Sequence, residues 1–492
     1  MMRRNKYILI MLAIIATAGA SAQNSQVLYF MNIPQNHLAN PAFRPSNSVS
    51  IGLPVISGIN LGVNNNFLNF SDVFLKRQSA DSVFTFLHPY FKIGDFLSKI
   101  KDKNSINPQT TIQLFSLGFA IGQSGYLFFD LNEKFEANIV IPGDLFKLAL
   151  SGNEQFAGSK IDLSSFRGDI KYYHEAGIGY SQNINNKLRL GVKAKVLLGI
   201  ADASIDNRAF SIAVSNDYVH TLNADLRLNV SAPVKVIKDP DTGDITDVQF
   251  DDSQLKTGSQ IASYIMNTRN LGFSLDLGAA YEVNDRLNLS AAVTDLGYIR
   301  WTRDVTNLVS KSSFEFSGFD MKEVIKGNKT FDEVSNKLVD SLKNSVKATD
   351  QNNPFTTYLP FGVTLGGSYS LTPNVSLGLM SYTRFIGKQI REAATLSANV
   401  NLGSALSASL CYTAENNRYD NVGAGLALRA GFFQFYLLAD KIPIEWNKII
   451  IDSKSSIPLP YDWHTLNLRL GMNVVFGNKV KKAVDRPMVD IR

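Results

Sequence analysis

Thr465-Leu466-Asn467-Leu468-Arg469-Leu470-Gly471-Met472-Asn473-Val474-Val475-Phe476 is the stretch that decides how this chain folds. Leu466, Leu468, Leu470, Met472, Val474 and Phe476 fall on one phase, and Thr465, Asn467, Arg469, Gly471 and Asn473 on the other. A period of two is that of a β-strand, whose side chains leave alternate faces; a helix would repeat at about 3.6. Such a strand has one oily face and one polar face. The pattern recurs upstream, where Leu188, Leu190, Val192, Ala194, Val196 and Leu198 alternate with Arg189, Gly191, Lys193 and Lys195. It recurs again where Leu271, Phe273, Leu275, Leu277 and Tyr281 oppose Gly272, Ser274, Asp276 and Gly278. Leu287 to Val293, Leu396 to Leu402, Leu406 to Tyr412 and Val422 to Leu428 read the same way.

Alternation admits a soluble β-sandwich as readily as a membrane barrel, and the connections separate the two. Short polar turns stand at Gln123 to Gly125, Asn183 to Asn186, Val283 to Arg286, Leu371 to Asn374, Leu402 to Ser404 and Ala430 to Gly431. Between them lie mostly longer connections: Asn64 to Pro108, Pro142 to Ser164, Ala201 to Asn270, Thr302 to Thr357 and Lys441 to Asp462. Strict alternation of short turns and long loops is the rhythm of an outer-membrane barrel. The expected fold is therefore all-β: a transmembrane antiparallel barrel of about 14 strands over residues 47–477. The count becomes about 16 if Phe210 to Ser215 and Tyr218 to Val230 join the wall instead of forming an external hairpin. Either count is even, which brings both ends of the barrel to the same side.

The ends of the chain agree with export. Arg3, Arg4 and Lys6 precede an apolar run from Tyr7 to Ile15, followed by small residues ending Ala20-Ser21-Ala22. This is the form of a secretory signal peptide over residues 1–22, cleaved near Ala22. Elsewhere no apolar run approaches the roughly 18 residues of a spanning helix. The formal net charge of +6 falls to about +3 without Arg3, Arg4 and Lys6, an excess too small to argue for nucleic acid. The single cysteine, Cys411, rules out an internal disulfide.

Three pieces read as lying outside the wall. Residues 23–46, with Asn40-Pro41-Ala42 and Pro45, are not strand-like and suit a plug folded back into the lumen. Phe331 to Lys347 spaces Val334, Leu338, Leu342 and Val346 four apart, as in an amphipathic helix within an external loop. Residues 478–492 form a polar periplasmic tail.

Asn40-Pro41-Ala42, Val293-Thr294-Asp295-Leu296-Gly297-Tyr298-Ile299-Arg300-Trp301, Gly431-Phe432-Phe433-Gln434-Phe435-Tyr436 and Asn473-Val474-Val475-Phe476-Gly477 carry a family resemblance. With them the chain resembles an uncharacterised outer-membrane family of Bacteroidota, itself similar to the long-chain fatty-acid transporter (FadL-like) barrels. More distantly it is similar to the shuttle barrel of the type IX secretion system. The resemblance spans nearly the whole mature chain and implies a barrel of roughly 14 strands with an N-terminal plug. The chain continues past Phe476, whereas many outer-membrane barrels end on their final aromatic residue.

No catalytic, cofactor or metal constellation is expected. His37, His88, His174, His220 and His464 are scattered, and none has a second His or Cys at ligand spacing. The glycines of Gly362 to Gly367 sit in a strand pattern, not ahead of a helix. Asp239-Pro240-Asp241-Thr242-Gly243-Asp244 lacks the bidentate Glu of a calcium loop and suits a solvated loop. The polar phase places Arg189, Lys193, Lys195, Asp276, Arg429 and Arg469 in the lumen, either as a basic lining for anions and carboxylates or as members of a buried ion-pair network. Pro54 removes a ladder donor from the first strand, which must bulge or bend there; the resemblance to the fatty-acid transporters, in which a kinked wall strand opens a lateral path, implies such a path at Pro54, and the alternative is a tolerated bulge.

The resemblance implies passage or binding of a small hydrophobic molecule through a plugged barrel, without chemical turnover and in contact with outer-membrane lipid. The rival expectation is a scaffold or shuttle barrel that binds a periplasmic, surface or secretion-system protein.

Overall fold

In the computed structural model of the chain, the described residues are 26–478 except 70–71, 73–74, 77–82, 85–91, 242–244, 317–347, 404, 416–417, 443–445, 451–455 and 461–463. The expected signal peptide, the helix expected at Phe331 to Lys347 and, beyond Asn478, the expected tail therefore lie outside them.

Fourteen antiparallel strands close into a barrel. The first, β1, comes in two pieces, Asn47–Gly52 and Ile59–Asn65. Then follow β2 (Lys103–Ile121), β3 (Gly125–Pro142), β4 (Arg167–Asn183), β5 (Leu188–Val214), β6 (Leu271–Glu282) and β7 (Leu287–Trp301). The circuit continues with β8 (Phe361–Ser370), β9 (Val375–Ile386), β10 (Gln389–Leu402), β11 (Leu406–Glu415), β12 (Arg418–Ala430), β13 (Phe433–Ala439) and β14 (Thr465–Asn478). Each wall strand pairs with the next. Closure is by β14 on both pieces of β1, with Val49 opposite Phe476 and Leu61 opposite Leu468. A closed ladder leaves no row of unpaired backbone N–H and C=O groups along the wall.

The two faces are inverted with respect to a soluble sheet. In β5 Arg189, Lys193 and Lys195 are buried, while Leu190, Val192 and Val196 are exposed. Along β14 Asn467, Arg469 and Asn473 are buried and Leu470 and Phe476 exposed. Water outside would reverse this preference, since apolar side chains normally supply the buried core.

The stretches that left the strand count open lie beyond the wall. β5 continues past the barrel to Val214 and pairs there with His220–Ser231, which pairs in turn with Val305–Phe316. Phe210 to Ser215 and Tyr218 to Val230 thus belong to an external hairpin. The same end carries helices Gly143–Ser151 and Gly258–Ile265, the latter opened by a capping box between Thr257 and Gln260. Asp239 and Asp241 stand between the paired strands Val234–Lys238 and Ile245–Phe250.

Strict alternation of short and long connections does not hold. On the long-loop side β9 and β10 are joined by Gly387 and Lys388 alone, and only two residues separate β11 from β12. Gly387 has φ +57°, a conformation that suits a two-residue hairpin turn and costs glycine little. Among the described residues no helix is long and apolar enough to cross a membrane.

Candidate functional site

Inside the wall lies the inner segment, from Gln26 to Ser46. Val27, Leu28, Phe30, Met31 and Ile33 are fully buried and form one apolar cluster with Met380, Tyr382, Cys411, Ala427, Tyr436 and Leu438 of the wall. The segment is built from a short helix, Gln26–Phe30, and a 3-10 turn, Pro34–Leu38, on either side of Met31 to Ile33. The wall makes room with glycine on its inner face. A Cβ at Gly366 would stand 2.4 Å from the Tyr29 hydroxyl, and one at Gly378 would stand 2.3 Å from the Phe30 ring. At Gly191 and Gly278 it would strike Pro41 or Asn40.

Polar groups lock the segment in register. Asn40 Nδ2 donates to the carbonyls of Ala279 and Ala291, each at 3.2 Å, and its Oδ1 accepts the Ala42 N–H at 2.9 Å. Asn40-Pro41-Ala42 is therefore the turn that seats the segment on β6 and β7. Arg44 Nη2 donates to the carbonyls of Ser124 and Ser181 at 2.7 Å, near the short turns. The hydroxyls of Tyr29 and Ser290 bond at 2.6 Å.

A network of charges fills one side of the lumen. His37 of the segment meets Asp130 at 2.8 Å, and Lys193 Nζ meets the same carboxylate oxygen at 2.8 Å. Lys195 lies 2.7 Å from Asp276 and 2.6 Å from Asp295, while Lys134 reaches Glu175 at 2.6 Å. Arg384 extends the chain to Glu136 at 3.4 Å. Asp295 adopts φ +61°, uncommon for a residue with a side chain, at the irregularity where β6 and β7 slip register. Its N–H donates to Asp276 Oδ1 at 2.7 Å, so the bulge both presents and holds the carboxylate.

Of the lumenal residues expected from the sequence, Lys193, Lys195 and Asp276 come together here. Arg189 lies apart, donating to Asn183 Oδ1 at 3.0 Å beside a short turn. Arg429 is half-buried at the seam, where it donates to Asn47 Oδ1 at 2.8 Å and to the Gly431 carbonyl. Arg469 lies on the far side of the lumen, on β14 opposite Asn60. Asp130, Lys134, Glu175 and Asp295 were not singled out from the sequence. Their polar phase was readable, but which strands stand beside one another across the lumen was not.

β1 breaks between its two pieces. Gly52 pairs with Asn473 and Ile59 with Leu470, so six residues of β1, Leu53 to Gly58, face only Gly471 and Met472. The extra length is a bulge with Val55 at φ +67°. Pro54, Val55 and Ile56 face outward, while Ser57 is fully buried. The Ser57 carbonyl accepts from Tyr436 Oη at 2.6 Å and from Gln35 Nε2 at 3.2 Å. Gln35 also donates to Gln113 Oε1 at 3.0 Å and to Asn473 Oδ1 at 2.8 Å, which ties the inner segment to the break. Outside, an apolar groove of about 530 Å³ is lined by Ile56, Ile59, Leu426, Leu437, Leu470 and Met472, with Tyr436 and Gly471 at its floor.

No curated protein matches the chain. Among solved structures it is similar to the toluene transporter TbuX of Ralstonia pickettii, at 8% identity and TM-score 0.40, over 92% of this chain and 98% of that one. A Pseudomonas aeruginosa FadL homologue is similar at 8% identity and TM-score 0.41, over 93% of this chain and 100% of that one. The translocator domain of the autotransporter NalP from Neisseria meningitidis is similar at 8% identity and TM-score 0.31, over 87% and 89% respectively. The match that identifies the chain is to a family pattern covering residues 41–440, and the chain belongs to the Family of unknown function (DUF5723).

Proposed function

We propose that this protein is an outer-membrane barrel that lets a small hydrophobic molecule pass between lumen and membrane through the break at Leu53 to Gly58, without chemical turnover. The observation that carries this reading is the break itself: a four-residue excess over β14, apolar outside and clamped inside by the inner segment. An outer face of exposed Leu, Val and aromatic residues suits hydrocarbon, where a closed barrel pairs the backbone of each strand with its neighbours. A lumen filled by Gln26 to Ser46 closes the straight route for water and ions. A lateral route then needs only Ser57 and Gly58 to give way, since their neighbours are the apolar groove on one side and Gln35 and Tyr436 on the other.

Removing residues 54–57 would leave β1 level with β14 and the groove without its outlet. Uptake of labelled toluene by proteoliposomes should fall several-fold with this deletion and also with Pro54→Val, the barrel remaining folded. Unchanged uptake by both variants sinks the lateral route. A stoichiometric protein partner recovered in a gentle pull-down, with no uptake by the intact barrel, would favour the scaffold reading instead.

A further inference from the structure

The oily outer face of the wall ends at a level that can be followed from strand to strand. Across β3 to β7 and the short strand Phe355–Tyr358, one row of side-by-side residues runs Leu131, Ala176, Val196, Phe273, Tyr298 and Tyr358. Every member is apolar or aromatic. The row two residues nearer the long loops begins with Glu133, His174, Leu198 and Leu271. Leu271, next to the Gly272–Ile299 pair, leads on to Arg300 and Thr356. Both rows are on the outward phase, since the residues between them, Asn132, Glu175, Leu197, Ile299 and Thr357, are buried. Charge thus enters the outer face at one level.

The two ends of the charged row differ. Glu133 meets His174 Nδ1 at 2.6 Å, and His174 Nε2 meets the Ile265 carbonyl at 3.0 Å, so the external helix Gly258–Ile265 covers this end and buries His174. Ile261 and Met266 of that segment remain exposed. At the other end Arg300 is exposed, and so is Arg269, two residues before Leu271 on the same phase. The Arg269 carbonyl accepts the Thr302 hydroxyl at 2.7 Å, which sets the two arginines one step apart on neighbouring strands. Among the described residues the nearby carboxylate of Asp304 pairs with Arg303, at 3.2 Å, and none pairs with Arg269 or Arg300. Immediately toward the short-turn side lie the exposed side chains of Leu271, Phe273, Leu296 and Tyr298. Two forked donors at the upper edge of an apolar and aromatic strip are the complement of a phosphate joined to acyl chains.

We propose that Arg269 and Arg300 hold the phosphate of a multiply acylated lipid of the outer leaflet, with its acyl chains along Leu271, Phe273, Leu296 and Tyr298. The site is on β6 and β7, not at the break in β1, and does not depend on lateral passage. It rests on the outer-membrane reading. A lipid held there fixes the depth of the rim in the leaflet, with Tyr298 and Tyr358 in the aromatic girdle.

The test is native mass spectrometry of the detergent-purified full-length barrel offered monophosphoryl lipid A and the same lipid stripped of its phosphate. The phosphorylated lipid should be retained about tenfold more, the range of a charge-assisted hydrogen bond. Arg269→Ala combined with Arg300→Ala should bring the two lipids level, and the variant should keep the heat-dependent gel shift of a folded barrel. Millimolar inorganic phosphate should leave the lipid bound, because the acyl chains supply the remaining contact; displacement by it would make this a free-anion site and overturn the lipid assignment. Equal retention of both lipids by the unmodified protein, or a preference that survives the double substitution, overturns the site and leaves the outer-membrane reading standing. Retention of neither lipid together with no gel shift overturns both.

Discussion

Lys193 shows how little a lumenal charge says until its neighbours are known. Alternation alone places it inside, where it could attract anions or be neutralised, and only the approach of β3 to β5 across β4, with His37 brought in from the N-terminal segment, shows Asp130 against it at 2.8 Å. Both partners are fully buried, so breaking the pair leaves Lys193 with the more distant Glu175 alone, at 3.9 Å, a loss worth up to about 3–5 kcal/mol. Asp130→Asn should accordingly lower the unfolding temperature markedly and loosen His37, read by scanning calorimetry and by protease access to the N-terminal segment. Gly278 makes the complementary point about space. A Cβ there would lie 2.0 Å from Asn40 Oδ1 and 2.8 Å from Pro41 Cδ. Gly278→Val should displace the Asn40-Pro41-Ala42 turn while leaving the wall intact, raising ion conductance in planar bilayers; conductance like that of the unmodified barrel would show that the turn is not needed to hold the segment. In the sequence Gly278 is merely one more polar-phase residue of a strand.

At the scale of elements, the inner segment and the first strand act together. Burying Val27, Leu28, Phe30, Met31 and Ile33 is worth roughly 1.5–3 kcal/mol for each side chain. That holds a stretch with little regular structure of its own. Removing residues 23–46 should leave a closed barrel that conducts ions freely, measured as single-channel current; a barrel still silent after this deletion would mean that something else blocks the lumen. The break in β1 is tied to the same segment through Gln35. Gln35→Ala should therefore loosen Ser57 without touching the wall, seen as faster amide exchange of residues 53–58. Pro54 made an irregularity legible in the sequence. Its size was not, because the excess over β14 exists only once both partners are in register. The long-loop side shows the same limit: Gly387 and Lys388 look like any polar pair until β9 and β10 are seen to pair through them.

For the whole molecule the governing fact is closure. Every wall strand has two neighbours, and the buried phase of each faces one lumen, polar on most strands and apolar where the inner segment packs. Such a barrel resists detergent, so the unheated protein should migrate faster than the boiled protein on a denaturing gel and fractionate with the outer membrane; identical migration together with recovery in the soluble fraction would refute the membrane reading. The number of wall strands turned on Phe210 to Val230, and the structure settles it because β5 outruns the barrel and carries its hairpin above the rim.

What the sequence by itself determined is the period of two, repeated from Leu188 to Phe476, and with it the strands, their oily and polar faces and the placement of Arg189, Lys193, Lys195 and Arg469 on the inner phase. Those are local properties, set by where successive Cβ atoms point. What only the tertiary structure decided is which polar residues meet. Lys195 finds Asp276 and Asp295, Gln35 bridges the inner segment to the broken strand, and Arg469 is left facing Asn60 without an acceptor. The reason is that lumenal contacts join strands far apart in the chain. Their partners depend on register and closure, which no single stretch of alternating residues contains.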